Sequence, residues 1–156
     1  MLIIRSILFV LPTLYMAIIW LQSSHFNPES VFALSSHVSI SIILLIGAAL
    51  ELAHFFEFGF LYFLLILLFL TFGKLDSKKE IIAAFIAIVY GLIDEIHQHF
   101  VPFRSFSLFD LFKDCIGVWI IWYVVHKNYY KNSRLGTGLR IITNLYKKDK
   151  KDVPYD

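Results

Sequence analysis

Cysteine occurs once, at position 115, which rules out a disulfide framework and a thiolate metal site within one chain. Cys115 itself sits in an apolar run and reads as a small buried hydrophobe. Lysine and arginine are missing from residues 22–50, although the chain holds 14 of them. Proline occurs four times and glycine seven, with no Pro/Gly/Ser-rich linker and no internal repeat, so one unit with a tail is expected. Phosphate-cradling glycine loops, a G-x-S-x-G nucleophile turn and an H-E-x-x-H metal pair are all absent. These gaps remove the commonest signatures of nucleotide-binding, serine-hydrolase and metalloprotease chemistry.

What is present is mostly apolar. Of 156 residues 58% are hydrophobic and 17% aromatic, with a mean hydropathy of +0.71, which exceeds the apolar share of soluble domains and points to a membrane protein. A spanning helix needs about 20 predominantly apolar residues, and residues 6–21, 54–73, 81–100 and 108–126 come close to that. The run at 38–50 is too short to cross and reads as a re-entrant or interfacial helix. The expected fold is all-α: a polytopic bundle of four spanning helices plus that short helix on the outer side. Arg5 ahead of an apolar run resembles a secretory signal, but no small-residue cleavage pattern follows "IIWLQSSHF", so the first span is expected to be retained. Pro12 is expected to kink it.

Orientation follows from the cations, because short loops rich in lysine and arginine stay cytoplasmic. Lys74, Lys78 and Lys79 mark one loop, and residues 127–156 carry eight lysines or arginines. Both termini are therefore expected in the cytoplasm of a multi-pass cell-membrane protein, with residues 1–126 as the transmembrane domain and 127–156 as a basic juxtamembrane tail. That tail, with "LRIITNLYKK" as a short amphipathic helix, should meet anionic membrane lipid, and nucleic acid is not an expected partner. Trp20, Trp119, Trp122 and Tyr123 suit interfacial belts.

This topology gathers the polar residues at one end. His54 and Glu57 open the second span, Asp94 to His99 close the third, and Asp110 to Asp114 open the fourth. Pairs at i,i+3 or i,i+4 share a helix face: His54 with Glu57, Asp94 with His97, Asp110 with Asp114. Gly91, one turn before Glu95, allows close helix contact. Ionisable groups at membrane depth usually face a bundle interior or a wet cavity. Glu57, Asp94, Glu95, Asp110 and Asp114 outnumber Arg104 and Lys113 by three, so the cluster must share protons, charge a histidine or hold a cation. Carboxylates and histidines at this spacing also serve di-metal bundles, which makes a divalent metal a candidate cofactor, with His54, Glu57, Asp94, His97 and Asp114 as candidate ligands. Arg104, after the stiffening Pro102, either grips a phosphate or carboxylate bidentately or pairs with Asp110 or Glu95.

"DEIHQHFVPFRSFSLFDLFKDCIG" resembles the signature of the VanZ-like family: an Asp-Glu-x-His-Gln run, a Pro-x-Arg turn, then an Asp with a second acid one turn on and a Gly following. "ELAHFFEFGFLYFLL" and "MAIIWLQSS" resemble its other two motifs, in the same order. His54, Glu57, Asp94, Glu95, His97, Gln98, Pro102, Arg104, Asp110 and Asp114 fall on family positions, while Glu51 and Phe103 stand where the family commonly has Lys and Gly. The resemblance implies a membrane protein related to one that confers teicoplanin resistance.

Three functions are carried forward. The first is a binder of a lipid-linked envelope precursor or a lipoglycopeptide, using Arg104, Glu95, Gln98, Asp110, Asp114 and His54. The second is a hydrolase or transferase at the same place, with Asp94, His97 and Glu57 as catalytic groups or metal ligands. The third is a purely structural membrane partner. The oligomeric state is left open by the sequence.

In a Cys115→Ala background, cysteines at Asn27 and Ser105 should react with a membrane-impermeant thiol reagent in intact cells, and one at Ser77 should not. Reversed labelling would sink this topology.

Overall fold

The computed structural model describes residues 2–25, 39–102, 104–131 and 133–151, the side chains of 2, 47, 50, 51, 54 and 145–151 excepted. Within them the chain is all-α: α1 (Leu2–His25), α2 (Ile40–Leu70), α3 (Ser77–Gln98), α4 (Leu108–Tyr129) and α5 (Arg134–Lys151). Local chemistry sets several boundaries. The Asp76 side chain accepts from Lys79 N to start α3, and Ser107 Oγ accepts from Asp110 N to start α4, each satisfying one otherwise orphaned helical donor. Gly73, at φ 127°, turns the chain out of α2 in a conformation that other residues adopt only at a cost. α1 runs unbroken through Pro12, and Thr13 Oγ1 donates to Phe9 O beside it.

One expectation is corrected. Residues 40–50 are not a separate short helix; they are the first part of the 31-residue α2. The 38–50 run is too short to cross by itself, but the "ELAH" that joins it to the second span is made largely of good helix formers without proline, so the helix continues through it. At 1.5 Å per residue α2 is about 46 Å long, more than the roughly 30 Å hydrocarbon layer needs.

α2 lies against all four other helices, and its buried Phe58, Leu61, Tyr62 and Ile66 form the middle of the core with Ile19, Ala87, Val118 and Leu139. The closest approach is to α4. A Cβ placed on Gly117 would run into the Phe55 carbonyl oxygen, and one on Gly59 would come within 2.7 Å of Gly117 O. Small residues let two backbones touch in this way, which is how helices pack where lipid supplies no hydrophobic drive.

Polarity is inverted relative to a soluble bundle. The buried stripe of α3 runs Glu80, Ala83, Ala87, Tyr90, Gly91, Asp94, Glu95 and Gln98, while Ile81, Phe85, Ile93 and Ile96 are exposed. Exposed Ile3 and Phe9 on α1, Phe56 on α2, and Leu108 and Trp119 on α4 continue this apolar exterior. Of the described residues, Ile3–His25 forms a helix long and apolar enough to cross a membrane, and Phe55–Leu70 a shorter apolar one.

The carboxy-terminal segment docks onto the bundle. Leu139 and Thr143, one turn apart on α5, are buried, Arg140 Nη1 donates to Tyr129 O and Lys131 O, and Tyr129 OH accepts from Leu75 N at 3.1 Å. α5 thus covers the end of the bundle where α2 stops and α3 begins.

Gly117→Ala should lower the thermal unfolding midpoint of the purified protein, because the α2–α4 contact must open. Gly138→Ala, with nothing within 4 Å of the added Cβ, should be neutral or stabilising by up to about 1 kcal/mol through helix propensity. Equal midpoints for the two variants would contradict this packing.

Candidate functional site

The end of α3 opposite Glu80 meets the end of α1, the 99–107 turn and the start of α4, and each contributes polar groups to one cluster. Asp94 is buried and is its hub. Its Oδ2 accepts from Ser23 Oγ of α1 at 2.8 Å and from Gln98 Nε2 at 2.6 Å. Gln98 Oε1 in turn accepts from Arg104 Nη2 at 2.7 Å. A relay of three hydrogen bonds therefore runs Ser23, Asp94, Gln98, Arg104, and the half-buried guanidinium also donates through Nη1 to Ser23 O at 3.5 Å. Gln98 can serve this way because one amide both donates and accepts.

Glu95, beside Asp94 in sequence, binds a different partner. Its Oε2 accepts from Ser107 N at 2.9 Å, tying the end of α3 to the cap of α4. Asp114 is completely buried and faces Gly91, where a Cβ would lie 3.3 Å from Asp114 Oδ2. The glycine makes room for a carboxylate. Glu57 on α2 lies within electrostatic reach of Asp94 and Arg104, and Asp114 within reach of Glu95, Glu57, Asp110 and Asp94. Two buried oxygens, Asp94 Oδ1 and Glu95 Oε1, have no hydrogen-bond partner among the described residues. Buried polar atoms are rarely left this way, so they mark where a donor from a bound molecule, a water or a cation fits.

Not every residue singled out by spacing hydrogen-bonds into the Asp94 relay. His97 stacks on Trp20, ring centroids 3.7 Å apart, and its Nε2 lies 2.9 Å from Ser24 Oγ. Asp110 is 2.5 Å from Lys113 Nζ, a buried lysine also over the Phe109 ring. Asp110 also lies within electrostatic reach of Glu95 and Asp114. The side chain of His54 lies outside the described residues. No three His, Cys, Asp or Glu side chains converge as a metal site among the described residues.

Spacing also missed several participants. Ser23 and Ser107 are small polar residues with no periodic signal, although the Ser-Ser pair closing the first span was a usable sign. At the opposite end of the bundle His126 Nδ1 lies 3.1 Å from both carboxylate oxygens of buried Glu80, and Trp122 stacks on that histidine. This pair joins residues 46 apart, and nothing in local sequence announces it.

A family model described as VanZ/LLP1 matches residues 5–127 of the chain. Neither a curated protein nor a solved structure matches it.

Adjacent serines give a sharp test of the relay. Ser23→Ala should destabilise the purified protein by about 1–3 kcal/mol, because a buried carboxylate loses a donor, whereas Ser24→Ala, which loses an exposed bond to Trp20 O and a part-buried one to the His97 ring but none to a buried carboxylate, should cost less. In an Asp94→Asn background the Ser23→Ala loss should shrink, as coupled partners require. Identical losses in both backgrounds, read by thermal unfolding, would refute the hydrogen bond.

Proposed function

The chain belongs to the VanZ/LLP1 family, and from that premise we propose a multi-pass membrane protein whose Asp94 end faces outward and holds the anionic head of an envelope amphiphile. The ligand is a lipid-linked cell-envelope precursor or a lipoglycopeptide of the teicoplanin type; both combine a hydrocarbon chain with a phosphate or carboxylate. In this reading α1 to α4 are four spans, which puts both termini on one side of the membrane, the cytoplasmic one. The absence of lysine and arginine from residues 22–50 and their abundance after residue 126 support that orientation. The apolar exterior and the apolar first helix support the membrane setting.

The observation that carries the reading is the braced guanidinium. Arg104 is fixed through Gln98 and Asp94 to Ser23 on another helix, beside buried carboxylate oxygens open to a donor. A guanidinium held in this way presents its fork to a phosphate or carboxylate without first losing rotamer freedom. Hydroxyl or amide groups of the same ligand satisfy Asp94 Oδ1 and Glu95 Oε1. Membrane lipids and this amphiphile are the proposed partners.

A hydrolase or transferase at the same place is the second reading, favoured by those open carboxylate oxygens. Asp94, with Glu57 within electrostatic reach, would then move protons to or from a head group held by Arg104. A divalent-metal version using His97 is the weaker variant, because its Nε2 lies 2.9 Å from Ser24 Oγ and no three such ligands converge among the described residues.

Arg104→Lys keeps the charge but loses the planar fork, so it should weaken binding nearly as much as Arg104→Ala, by about 1.5–3 kcal/mol or roughly tenfold to a hundredfold. Teicoplanin tolerance conferred on a susceptible host is the first phenotype to measure, alongside membrane levels. Retained function in Arg104→Lys, together with rescue of Arg104→Ala by Glu95→Gln, would make Arg104 a structural counter-charge and end the anion-binding reading.

A further inference from the structure

Glu57 borders two surroundings. On one side are Asp94 and Arg104; on the other, it forms the polar end of a trough of about 570 Å³ that crosses α2 between α1 and α4. Ala53, Phe56 and Phe60 make its floor, with Tyr15 of α1 and Val124 of α4 on its walls. Gln22 stands at the Glu57 end, and Leu135 of α5 borders the far end. From Ala53 to Phe63 the floor descends about 15 Å along the helix. The volume falls within the roughly 300–1,000 Å³ typical of ligand sites.

A second trough of about 600 Å³ lies between α3 and α4, over Ile81, Phe85 and Trp119. Its polar residues, Ser77, Glu80 and His126, sit at the opposite end of the bundle. A molecule lying there with its head among those groups is turned away from Arg104. Of these two long apolar troughs, only the first joins the Asp94 cluster, and it does so through Glu57.

We infer that the α1–α2–α4 trough seats the hydrocarbon chain of the ligand whose head meets Arg104, entering sideways from the bilayer between α1 and α4. This rests on the reading of Arg104 as the head-group site. It makes the ligand a long-chain anionic amphiphile rather than a water-soluble anion. A chain moving from lipid into the trough gains little by the hydrophobic effect, since lipid tails are as apolar as its walls. What the trough supplies is direction: contact on three sides aligns the chain and delivers the head to one place, with part of the ordering cost of binding already met by a rigid surface.

The test uses the full-length protein in phosphatidylcholine vesicles and dodecyl phosphate carrying a diazirine at the end of its chain. After photolysis, labelled peptides are mapped by mass spectrometry. Labelling should concentrate on residues 53–63 and 121–125, with less on residues 81–88. Ala53→Trp and Val124→Trp, which fill the trough from two different helices, should each abolish the first labelling and leave the weaker labelling at 81–88, which also reports an intact fold. Arg104→Ala should reduce labelling of the trough as well. Equal labelling of both troughs, or trough labelling unchanged by both tryptophan variants, would overturn the chain site while leaving the Arg104 phenotype to stand or fall alone. Trough labelling that is lost with tryptophan but unaffected by Arg104→Ala would overturn the assignment of head and chain to one ligand.

Discussion

Carboxylates held away from water are the constraint around which this bundle is arranged. Asp94, Glu95 and Asp114 are buried, in a chain whose outer surface is largely apolar, and an ionised group in such surroundings must be hydrogen-bonded, paired or joined by a bound partner. The packing of α3 follows from this. Its inward stripe carries charged and amide residues at its two ends, with two alanines, a tyrosine and a glycine between them, and polar atoms of neighbouring segments reach the carboxylates. Ser23 from α1 and the Ser107 backbone from the start of α4 do so. Each bond ties a different segment to α3, and the cluster thereby organises one end of the molecule.

The same end shows a division of labour between cations. Lys113 is spent within α4 on Asp110, a local pair whose value is limited by its spacing of one turn. Arg104 instead reaches back to Gln98, and through it to Asp94 and α1. The fork geometry of arginine suits that longer reach. Glu57 extends the electrostatic cluster sideways into the α1–α2–α4 trough, so that a charged centre and an apolar channel share one residue.

The opposite end is closed in a different way. Glu80 is buried against His126, Tyr129 OH caps the free Leu75 N–H, and α5 lays Leu139 and Thr143 into the bundle. Arginine on α5 takes up carbonyl oxygens left open after α4 ends, a common fate of C-terminal acceptors. The basic segment is therefore part of the fold as well as a charged surface.

Much of this was written in short-range pattern. Apolar runs marked the helices, i,i+3 and i,i+4 pairs marked the turns that carry acid, and Gly91 marked close approach, because helical periodicity is a local property that depends on residues a few positions apart. The family motifs likewise singled out Gln98 and Arg104. Tertiary structure alone decided who meets whom. It made α2 one helix where the length of the apolar runs suggested two, stacked His97 on Trp20, joined Asp94 to Ser23 across 71 positions, and paired Glu80 with His126 across 46. Those outcomes depend on the rotation, depth and separation of whole helices against one another. Backbone contact at Gly59 and Gly117 and the burial of the carboxylates set those quantities, and no window of sequence a few turns long contains them.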